Sequence, residues 1–370
     1  MDHKDKNISV RSQLIELSKR GHQLLKIRHY SEACQVFEEA LLLAPNDFYI
    51  LTGMGDALRL QKDFSAAGEH YRRALEIDPS NPFALRGLGD ALHGLKRYGE
   101  AIEYWGKYLH LKGSRDVFVL TRIADCFKTM GNYSESEAYY HKTLALEAGD
   151  RYALMGLADL YHKRGLELQA IEYYEKALAN GVTLINILTI VGGLHYRQGD
   201  YEKARFYYEK TLAQDPHNSY ALYGLGSYYR WKNDYQQAVE LWEKILEQNA
   251  GTVNLLTRLG DAYRNLGRYE DAERAYKSNL DKGYDLFSLI GLIKLYCLRG
   301  SVKEVCVCYD ELLRNEPEER KIFAEAGELL LQHNQSDLAL QFYHHARQRQ
   351  KNNPEVSGII DGLISRMENA

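Results

Sequence analysis

Three Gly-x-Gly segments are the first candidates for chemistry in this chain, because the backbone amides of glycine-rich loops bind phosphate in nucleotide-binding proteins. Each segment lies inside a helical pattern, has no strand before it, and places its second glycine at a repeated packing position. The sequence therefore disfavours nucleotide binding at all three. The segments are Gly53-Met54-Gly55, Gly87-Leu88-Gly89 and Gly224-Leu225-Gly226.

Histidine and cysteine give no better case for catalysis or metal binding. His344 and His345 are adjacent and cannot share a helical face, and Cys306 and Cys308, two apart, point to different faces. Neither a Gly-x-Ser-x-Gly motif nor a pair of catalytic carboxylates is present. The sequence predicts a non-enzymatic protein with no metal and no cofactor. It also predicts reduced, mostly buried thiols, because five cysteines form no disulfide framework.

Rows of aromatic, acidic and basic residues are the strongest candidates for binding a partner. They recur about every 34 residues on one face of a predicted helix, since members of a unit are spaced by three and four positions. The aromatic members are Tyr49, Phe83, Phe118, Tyr152, Tyr220 and Phe287. The acidic members are Asp56, Asp90, Asp125, Asp159 and Asp261. The basic members are Arg59, His93, Lys128, His162, Arg230 and Arg264. Two positions between them hold Thr52, Arg86, Thr121, Arg122, Tyr223, Thr257 and Arg258.

Two interpretations of these rows remain open. Aspartate and a base three residues later form pairs that stabilise a solvated helix face by about 0.2–0.5 kcal/mol each. Alternatively, the rows bind the backbone amides and side chains of an extended or helical peptide. We predict the second use, as a partner-binding groove, for 23 of these 24 residues, all except Phe287.

A ladder of aromatic residues, one every 33 to 35 positions, sets the framework for these rows. Self-similarity at this period predicts a stack of small units instead of one closed core. The ladder is Phe37, Tyr71, Trp105, Tyr140, Tyr174, Tyr208, Trp242, Tyr276, Tyr309 and Tyr343.

Each unit carries the pattern of two short helices joined by a tight turn such as Gly131-Asn132-Tyr133. Small residues on the facing sides of the two helices let them approach closely, and the aromatic residue of the ladder fills the gap beside them. Proline ends several units and cannot continue a helix. These prolines are Pro45, Pro79, Pro216 and Pro317.

The pattern resembles the tetratricopeptide repeat (TPR) family, and the match covers ten tandem repeats over residues 14–353. The second unit shows it most clearly, with Gly55, Leu58, Ala67, Tyr71, Ala74 and Pro79. The resemblance implies an all-α, right-handed superhelical solenoid of antiparallel helix pairs, whose first helices line a concave groove. No three consecutive units supply the lysine and asparagine set with which some members grip a C-terminal carboxylate, so we expect no clamp of that kind.

The ends of the chain and the ninth unit depart from the pattern. Residues 1–13 are predicted to be disordered, and residues 354–370 carry apolar residues at helical spacing that suit a C-terminal capping helix. One residue is inserted near Gly113-Ser114 in a loop between units. In the ninth unit Ile293 and Val305 replace small residues, which predicts a local change of superhelical angle.

Composition narrows the classes of partner. A formal net charge of −4 gives no basic footprint for nucleic acid, and the apolar runs are too short to insert in a membrane. The first residues are charged and lack the apolar stretch of a signal peptide, which predicts a cytoplasmic protein.

The sequence therefore predicts a scaffold or adaptor that binds a protein or peptide in one solenoid domain. The alternative is a regulatory or accessory subunit of an enzyme or transport complex, held through the convex face or the ends. The pattern specifies neither the partner nor the oligomeric state.

Overall fold

The computed structural model describes residues 3–111, 115–248, 254–316 and 322–368, and the loop insertion at Gly113-Ser114 and the proline Pro317 lie outside them. These residues form 21 α-helices and no strand. Contacts divide the chain into two compact units, Met1–Thr183 and Leu184–Ala370. A single domain over 14–353 stays a prediction.

The first unit contains ten helices that pack in five consecutive pairs, each first helix against the second that follows it. First helices also contact one another, α1 with α3, α3 with α5, and α7 with α9. The helices are α1 His3–Lys26, α2 Tyr30–Leu43, α3 Phe48–Leu60, α4 Phe64–Ile77, α5 Pro82–Gly94, α6 Tyr98–Leu111, α7 Val117–Thr129, α8 Tyr133–Leu146, α9 Arg151–Lys163 and α10 Glu167–Ala179.

Aspartate or asparagine begins the first helix of most pairs in this unit. The Asp47 side chain accepts hydrogen bonds from the Tyr49 and Ile50 amides at 2.9 and 3.1 Å. Asn81, Asp116 and Asp150 cap α5, α7 and α9 in the same way. Such caps satisfy amides that have no partner inside the helix. They also fix the residue two positions after each cap in the first helical turn.

A residue in the left-handed region of φ joins the two helices of each pair. Glycine adopts this conformation without strain, whereas Lys62 and Lys96 adopt it at φ of 68° and 61°. The position is therefore set by turn geometry in every pair, whatever residue fills it. Its occupants are Arg28, Lys62, Lys96, Gly131, Gly165, Gly199, Asn233, Gly267, Gly300 and Asn334.

The aromatic ladder forms the core, and all ten of its members are buried. Tyr71 lies between a glycine of its own pair and a glycine of the next. A Cβ added to Gly55 or Gly87 would lie 2.7 or 2.4 Å from ring atom Cε1 of Tyr71. The predicted close approach at small residues is confirmed here, and it involves a second glycine contributed by the following pair.

The N-terminal segment differs from the prediction of a disordered tail over 1–13. Helix α1 begins at His3 and runs to Lys26, so the first helix is longer than the repeat requires. Residues 3–26 contain no proline, and their first glycine is Gly21. Helical hydrogen bonding can therefore propagate along the backbone once the packed part of α1 has formed. The repeat pattern gave no sign of this extension.

The second unit contains eleven helices, ten in pairs and one at the C-terminal end. They are α11 Ile185–Arg197, α12 Tyr201–Gln214, α13 Ser219–Trp231, α14 Tyr235–Glu247, α15 Leu255–Asn265, α16 Tyr269–Leu280, α17 Leu286–Leu298, α18 Val302–Asn315, α19 Ile322–Gln332, α20 Ser336–Arg349 and α21 Pro354–Glu368.

Packing changes after the ninth pair. Elsewhere in this unit a second helix packs on the first helix of the following pair, as α12 does on α13, whereas α18 packs on the second helix α20. The rings of Tyr309 and Phe342 lie 5.4 Å apart, and Asp310 accepts a hydrogen bond from His345 at 2.8 Å. The predicted change of superhelical angle at this pair stays a prediction.

Helix α21 covers α20 at the end of the chain. Its residues Val356, Ile360 and Ile364 are buried, and their spacing of four places them on one face. Terminal units of repeat proteins need such a cover, because their last apolar face would otherwise meet water. The prediction of an all-helical array of antiparallel pairs with a C-terminal capping helix is confirmed.

Candidate partner-binding surface

Four exposed aromatic side chains form a row on successive first helices of the first unit. Tyr49 on α3 is 59% exposed and Phe83 on α5 is 68% exposed, while Phe118 on α7 and Tyr152 on α9 are 50% and 74% exposed. Each lies two residues after an N-cap, so the helix start fixes its position. We call these four residues the aromatic row. A large aromatic side chain left in water on four helices in succession is a surface suited to binding apolar groups.

Aspartates of the predicted groove accept hydrogen bonds from tyrosines of the buried ladder. The Tyr71 hydroxyl donates a 2.7 Å hydrogen bond to Asp56, and Tyr174 donates one of 2.6 Å to Asp159. Tyr140 donates to Asp125 in the same way. The spacing between donor and acceptor is fifteen residues each time. Sequence reasoning noted both rows and missed their connection, although this constant spacing was a signal that could have revealed it.

Burial keeps these tyrosine hydroxyls protonated. Desolvation, followed by the charge of Asp56, raises the pKa of Tyr71 well above its usual value. The same two causes, burial and a facing aspartate, raise the pKa of Tyr140. The protonated hydroxyl is therefore the donor in each contact, and the aspartate oxygen is the acceptor.

Asp90 is the centre of a network joining three consecutive pairs. It is only 9% exposed and accepts hydrogen bonds from Arg122 Nη1 at 2.7 Å and from the Trp105 indole at 3.2 Å. Its second oxygen lies 3.6 Å from Arg59 Nη1, and Arg59 also pairs with Asp56 at 3.2 Å. Burial lowers the pKa of Arg59, but Tyr71 and the two aspartates raise it above its usual value. These charges satisfy one another.

Arginine side chains also flank one member of the aromatic row. The guanidinium carbon of Arg122 lies 4.3 Å from the centre of the Phe118 ring, and that of Arg86 lies 5.4 Å from it. Arg86 also pairs with the N-cap Asp116 at 3.4 Å. These contacts hold the Phe118 ring in place while leaving half of it exposed.

The remaining basic residues of the first unit pack on the ladder. Lys128 pairs with Asp125 at 3.3 Å, and its ammonium lies 5.5 Å from the Tyr140 ring centre. The His93 ring lies 5.7 Å from that of Trp105. Burial, then the charge of Arg122, lowers the pKa of His93, so this imidazole stays neutral at pH 7. The His162 ring lies 6.2 Å from that of Tyr174.

Three predicted groove residues are not available to a partner. Thr52, Thr121 and Thr257 are 7%, 7% and 9% exposed. Thr52 and Thr121 donate hydrogen bonds to carbonyls one turn earlier, Phe48 at 2.9 Å and Val117 at 3.0 Å. Thr257 contacts Ser288 at 2.9 Å. The structure corrects the prediction here, because a hydroxyl satisfied within the packing between helices serves the fold.

The second unit repeats part of this arrangement. Tyr276 donates to Asp261 at 2.8 Å, and Arg264 pairs with the same carboxylate at 3.3 Å. Tyr220 and Phe287 are 82% and 68% exposed, as expected for the aromatic position. The predicted residues Tyr223, Arg230 and Arg258 lie on α13 and α15.

The cysteines show the features of structural thiols. No disulfide joins any of the five, all of which lie in described residues. Burial, the first cause in each case, raises the pKa of Cys126, Cys297 and Cys308 to about 12. Within the described ranges no three metal-ligating side chains come together. None of the described helices is both long and apolar enough to cross a membrane.

Family comparisons match three segments of the chain. Residues 55–96 match the family described as TPR repeat, and residues 122–181 match the family described as tetratricopeptide repeat. Residues 197–279 match the family described as anaphase-promoting complex, cyclosome, subunit 3. No curated protein matches the chain in sequence.

Several solved structures are similar to parts of this chain. PilF of Pseudomonas aeruginosa is 20% identical, with a TM-score of 0.48 over 61% of this chain and 99% of that one. PilW, described as a widely conserved type IV pilus biogenesis factor, is 21% identical, with a TM-score of 0.48 over 56% and 96%. YrrB, described as a TPR protein with an unusual peptide-binding site, is 18% identical, with a TM-score of 0.44 over 49% and 92%.

The recurring helix pairs, the buried aromatic ladder between paired glycines and the family matches at three separate segments agree with one another. Together they support a tetratricopeptide repeat protein.

Proposed function

We propose that this chain is a non-enzymatic scaffold that binds a peptide segment of a partner protein along the aromatic row, Tyr49, Phe83, Phe118 and Tyr152. Tetratricopeptide repeats generally mediate protein or peptide binding and are generally non-catalytic. The observation that carries the proposal is the exposure of half or more of each of these four side chains on successive first helices.

The charges around the aromatic row indicate what kind of segment it binds. Asp90 is shared by Arg59 and Arg122, and Lys128 is paired with Asp125. These groups would lose existing partners if they turned to a ligand. The aromatic faces are the feature that the fold leaves unsatisfied, so the bound segment contributes apolar or aromatic side chains, which bury well against such faces.

Aspartate substitutions cannot test this proposal cleanly. Asp56, Asp125 and Asp159 accept hydrogen bonds from buried tyrosines, so their removal leaves a polar hydroxyl without its acceptor. A loss of binding in such a variant would follow from loss of the fold as readily as from loss of a contact. The exposed aromatic side chains are the correct targets.

The test is a selection of random 12-residue displayed peptides on the immobilised full chain. Affinities of selected peptides are then measured by fluorescence polarisation. A variant carrying Phe83→Ser and Tyr152→Ser should bind them at least tenfold more weakly than the unchanged chain. The matched control carries Leu42→Ser and Leu168→Ser, which remove two apolar side chains that are 84% and 68% exposed on the second helices α2 and α10.

Each other result counts against the proposal. Equal binding by the aromatic-row variant would show that the row is not the site. Loss of binding only in the Leu42→Ser and Leu168→Ser variant would place the site on the second helices and favour an accessory subunit held through that face. Circular dichroism of both variants should match that of the unchanged chain.

A further inference from the structure

The second unit contains a cavity lined mainly by polar and charged residues, unlike the aromatic row. It has a volume of about 300 Å³ and lies between α13, α15 and α17. Asn254 stands there at the position where the equivalent helix of the first unit carries Phe118, so a small polar side chain replaces a large ring. The other lining residues are Arg230, Thr257, Arg258, Asp261, Asp285 and Phe287.

Two arginines of this cavity lack an acidic partner within the described part of the chain. Neither Arg230 nor Arg258 forms an ion pair or side-chain hydrogen bond with a described residue. Arg258 lies against the ring of Tyr223, with its guanidinium carbon 5.2 Å from the ring centre. Both side chains are half-buried. Because partly desolvated guanidinium groups bind carboxylates strongly, this pair is a candidate anion receptor.

The first unit shows what the same arrangement looks like when an internal carboxylate fills it. There Trp105 of one pair and Arg122 of the next both donate to Asp90. In the second unit Trp242 and Arg258 occupy the equivalent positions, but the equivalent of Asp90 is Ser227.

The indole of Trp242 donates its hydrogen bond to a backbone carbonyl instead of a carboxylate. It donates to the carbonyl of Tyr223 at 3.2 Å, and Ser227 donates to the same carbonyl at 2.9 Å. Arg258 is therefore left without the carboxylate that its counterpart Arg122 has.

The acidic side chains of the cavity are already engaged. Asp261 accepts hydrogen bonds from Tyr276 at 2.8 Å and from Arg264 at 3.3 Å. Asp285 caps α17 by accepting from the Ser288 amide at 2.7 Å. The charge of Asp261 is offset by Arg264, and that of Asp285 lies at a helix N-terminus, where negative charge is stabilised. These contacts leave the two arginines as the groups able to receive a ligand.

We propose that Arg230 and Arg258 bind a carboxylate of a bound peptide in this cavity, with Phe287 contacting the residue beside it. Phe287 is 68% exposed at the rim and offers an apolar surface to that residue. This inference rests on the proposed function, since it takes the ligand to be a peptide. Two sources carry the required group, an aspartate or glutamate side chain and a free C-terminus.

Three synthetic probes separate these sources. Acetyl-Phe-Ala-Asp-Ala-Phe-amide carries only a side-chain carboxylate, and acetyl-Phe-Ala-Asn-Ala-Phe carries only a C-terminal one. Acetyl-Phe-Ala-Asn-Ala-Phe-amide carries neither. Each is titrated into the full chain while the arginine Nε–H signals are followed by NMR. At least one carboxylate probe should bind tenfold more tightly than the neutral probe and shift the signals of Arg230 and Arg258.

Substitutions then test the two arginines. Arg258→Gln and Arg230→Gln should each weaken the carboxylate probe at least tenfold. Arg274→Gln is the matched control, because this arginine lies on the second helix α16 with a side chain 79% exposed, and it should change nothing. Ser227→Asp should also weaken the probe at least tenfold, because it supplies the internal carboxylate found at Asp90.

Two results would overturn the inference. One is equal affinity for the neutral and carboxylate probes. The other is unchanged binding of the carboxylate probe in Arg258→Gln. Peptides selected on the aromatic row are measured on the same Arg258→Gln variant, and their undiminished binding would show that the proposed function stands when this inference fails. The proposed function is tested separately, by whether the selected peptides bind more weakly to the Phe83→Ser and Tyr152→Ser variant.

Discussion

The Tyr71 hydroxyl donates a 2.7 Å hydrogen bond to Asp56, fifteen residues earlier on the preceding helix. The ring of Tyr71 is fully buried between glycines of two consecutive pairs, while its hydroxyl reaches the face that carries the candidate binding residues. One side chain thus fills the core and orients a surface carboxylate. Packing of the ladder and the charge pattern of the surface are consequently coupled in each pair that keeps both residues.

We expect Tyr71→Phe to lower the free energy of unfolding by about 1–2 kcal/mol, because it leaves the ring in place and removes the donor to Asp56. The measurement is urea unfolding of the full chain followed by circular dichroism. Tyr49→Phe is the matched control: it makes the same substitution at a side chain that is 59% exposed, and it should change stability by less than about 0.5 kcal/mol. Equal effects of the two substitutions would contradict the structural role of the hydrogen bond.

Adding a single methyl group to Gly87 should destabilise the chain by about 1–3 kcal/mol through overpacking. The added Cβ would lie 2.4 Å from the Tyr71 ring, which is held on its other side by Gly55. Gly68→Ala in α4 is the matched change, since its Cβ would meet nothing closer than Leu88 Cδ1 at 3.7 Å. That substitution should stabilise by about 0.5–1 kcal/mol, as alanine does within a helix. The urea midpoint should fall in Gly87→Ala and rise in Gly68→Ala. Shifts of both midpoints in the same direction would refute the packing.

The turn inside each pair offers a stabilising substitution. Lys62 and Lys96 are held in the left-handed region at φ of 68° and 61°, where a Cβ is strained. Replacing either by glycine should raise stability by about 0.5–1 kcal/mol. The reverse change, Gly131→Ala at φ of 83°, has open space for its Cβ and should cost about 1 kcal/mol from backbone strain alone. Thermal unfolding of the three single variants checks the sign at each site, and a loss of stability in Lys62→Gly would disprove the account.

Sequence periodicity was enough to predict the helix pairs and their core. The ladder residues, the small residues beside them and the capping helix follow from spacing, because a side chain's position on a helix is fixed by its register. The exposed aromatic row was predictable for the same reason. Register alone could not show that Tyr71 lies against Gly87 of the next pair, since contacts between units depend on how helices of neighbouring pairs pack.

The roles of the polar residues were less accessible to sequence reasoning. Asp90 and Asp159 are aspartates at the same position of the repeat. Asp90 pairs with Arg122 and Arg59, whereas Asp159 accepts a hydrogen bond from Tyr174. Thr52 has groove register but turns its hydroxyl to the backbone of its own helix. Periodicity assigns a face to a polar residue, and the choice of partner is made by the neighbouring helices.

Stability should fall as the solution becomes more alkaline than about pH 10. Burial, followed by the charge of Tyr196, raises the pKa of Tyr208 to about 12, whereas a tyrosine in the unfolded chain ionises near 10. Between these values the unfolded state holds fewer protons than the folded state, so the free energy of unfolding decreases with rising pH. The loss for one such tyrosine approaches about 1.4 kcal/mol per pH unit and is absent below pH 10.

Tyr71 and Tyr140, whose pKa values are raised by burial and then by a facing aspartate, add to this slope. Urea midpoints at pH 8, 9.5 and 11 measure the loss, and absorbance at 295 nm reports tyrosine ionisation. Between pH 10 and 12, Tyr208→Phe should reduce the dependence of the free energy of unfolding on pH by the equivalent of about one proton. The reason is that this tyrosine no longer ionises at different pH values in the folded and unfolded states. Full tyrosine ionisation near pH 10 with the helical signal intact would contradict the burial of the ladder, since ionised rings would then be tolerated between the paired glycines.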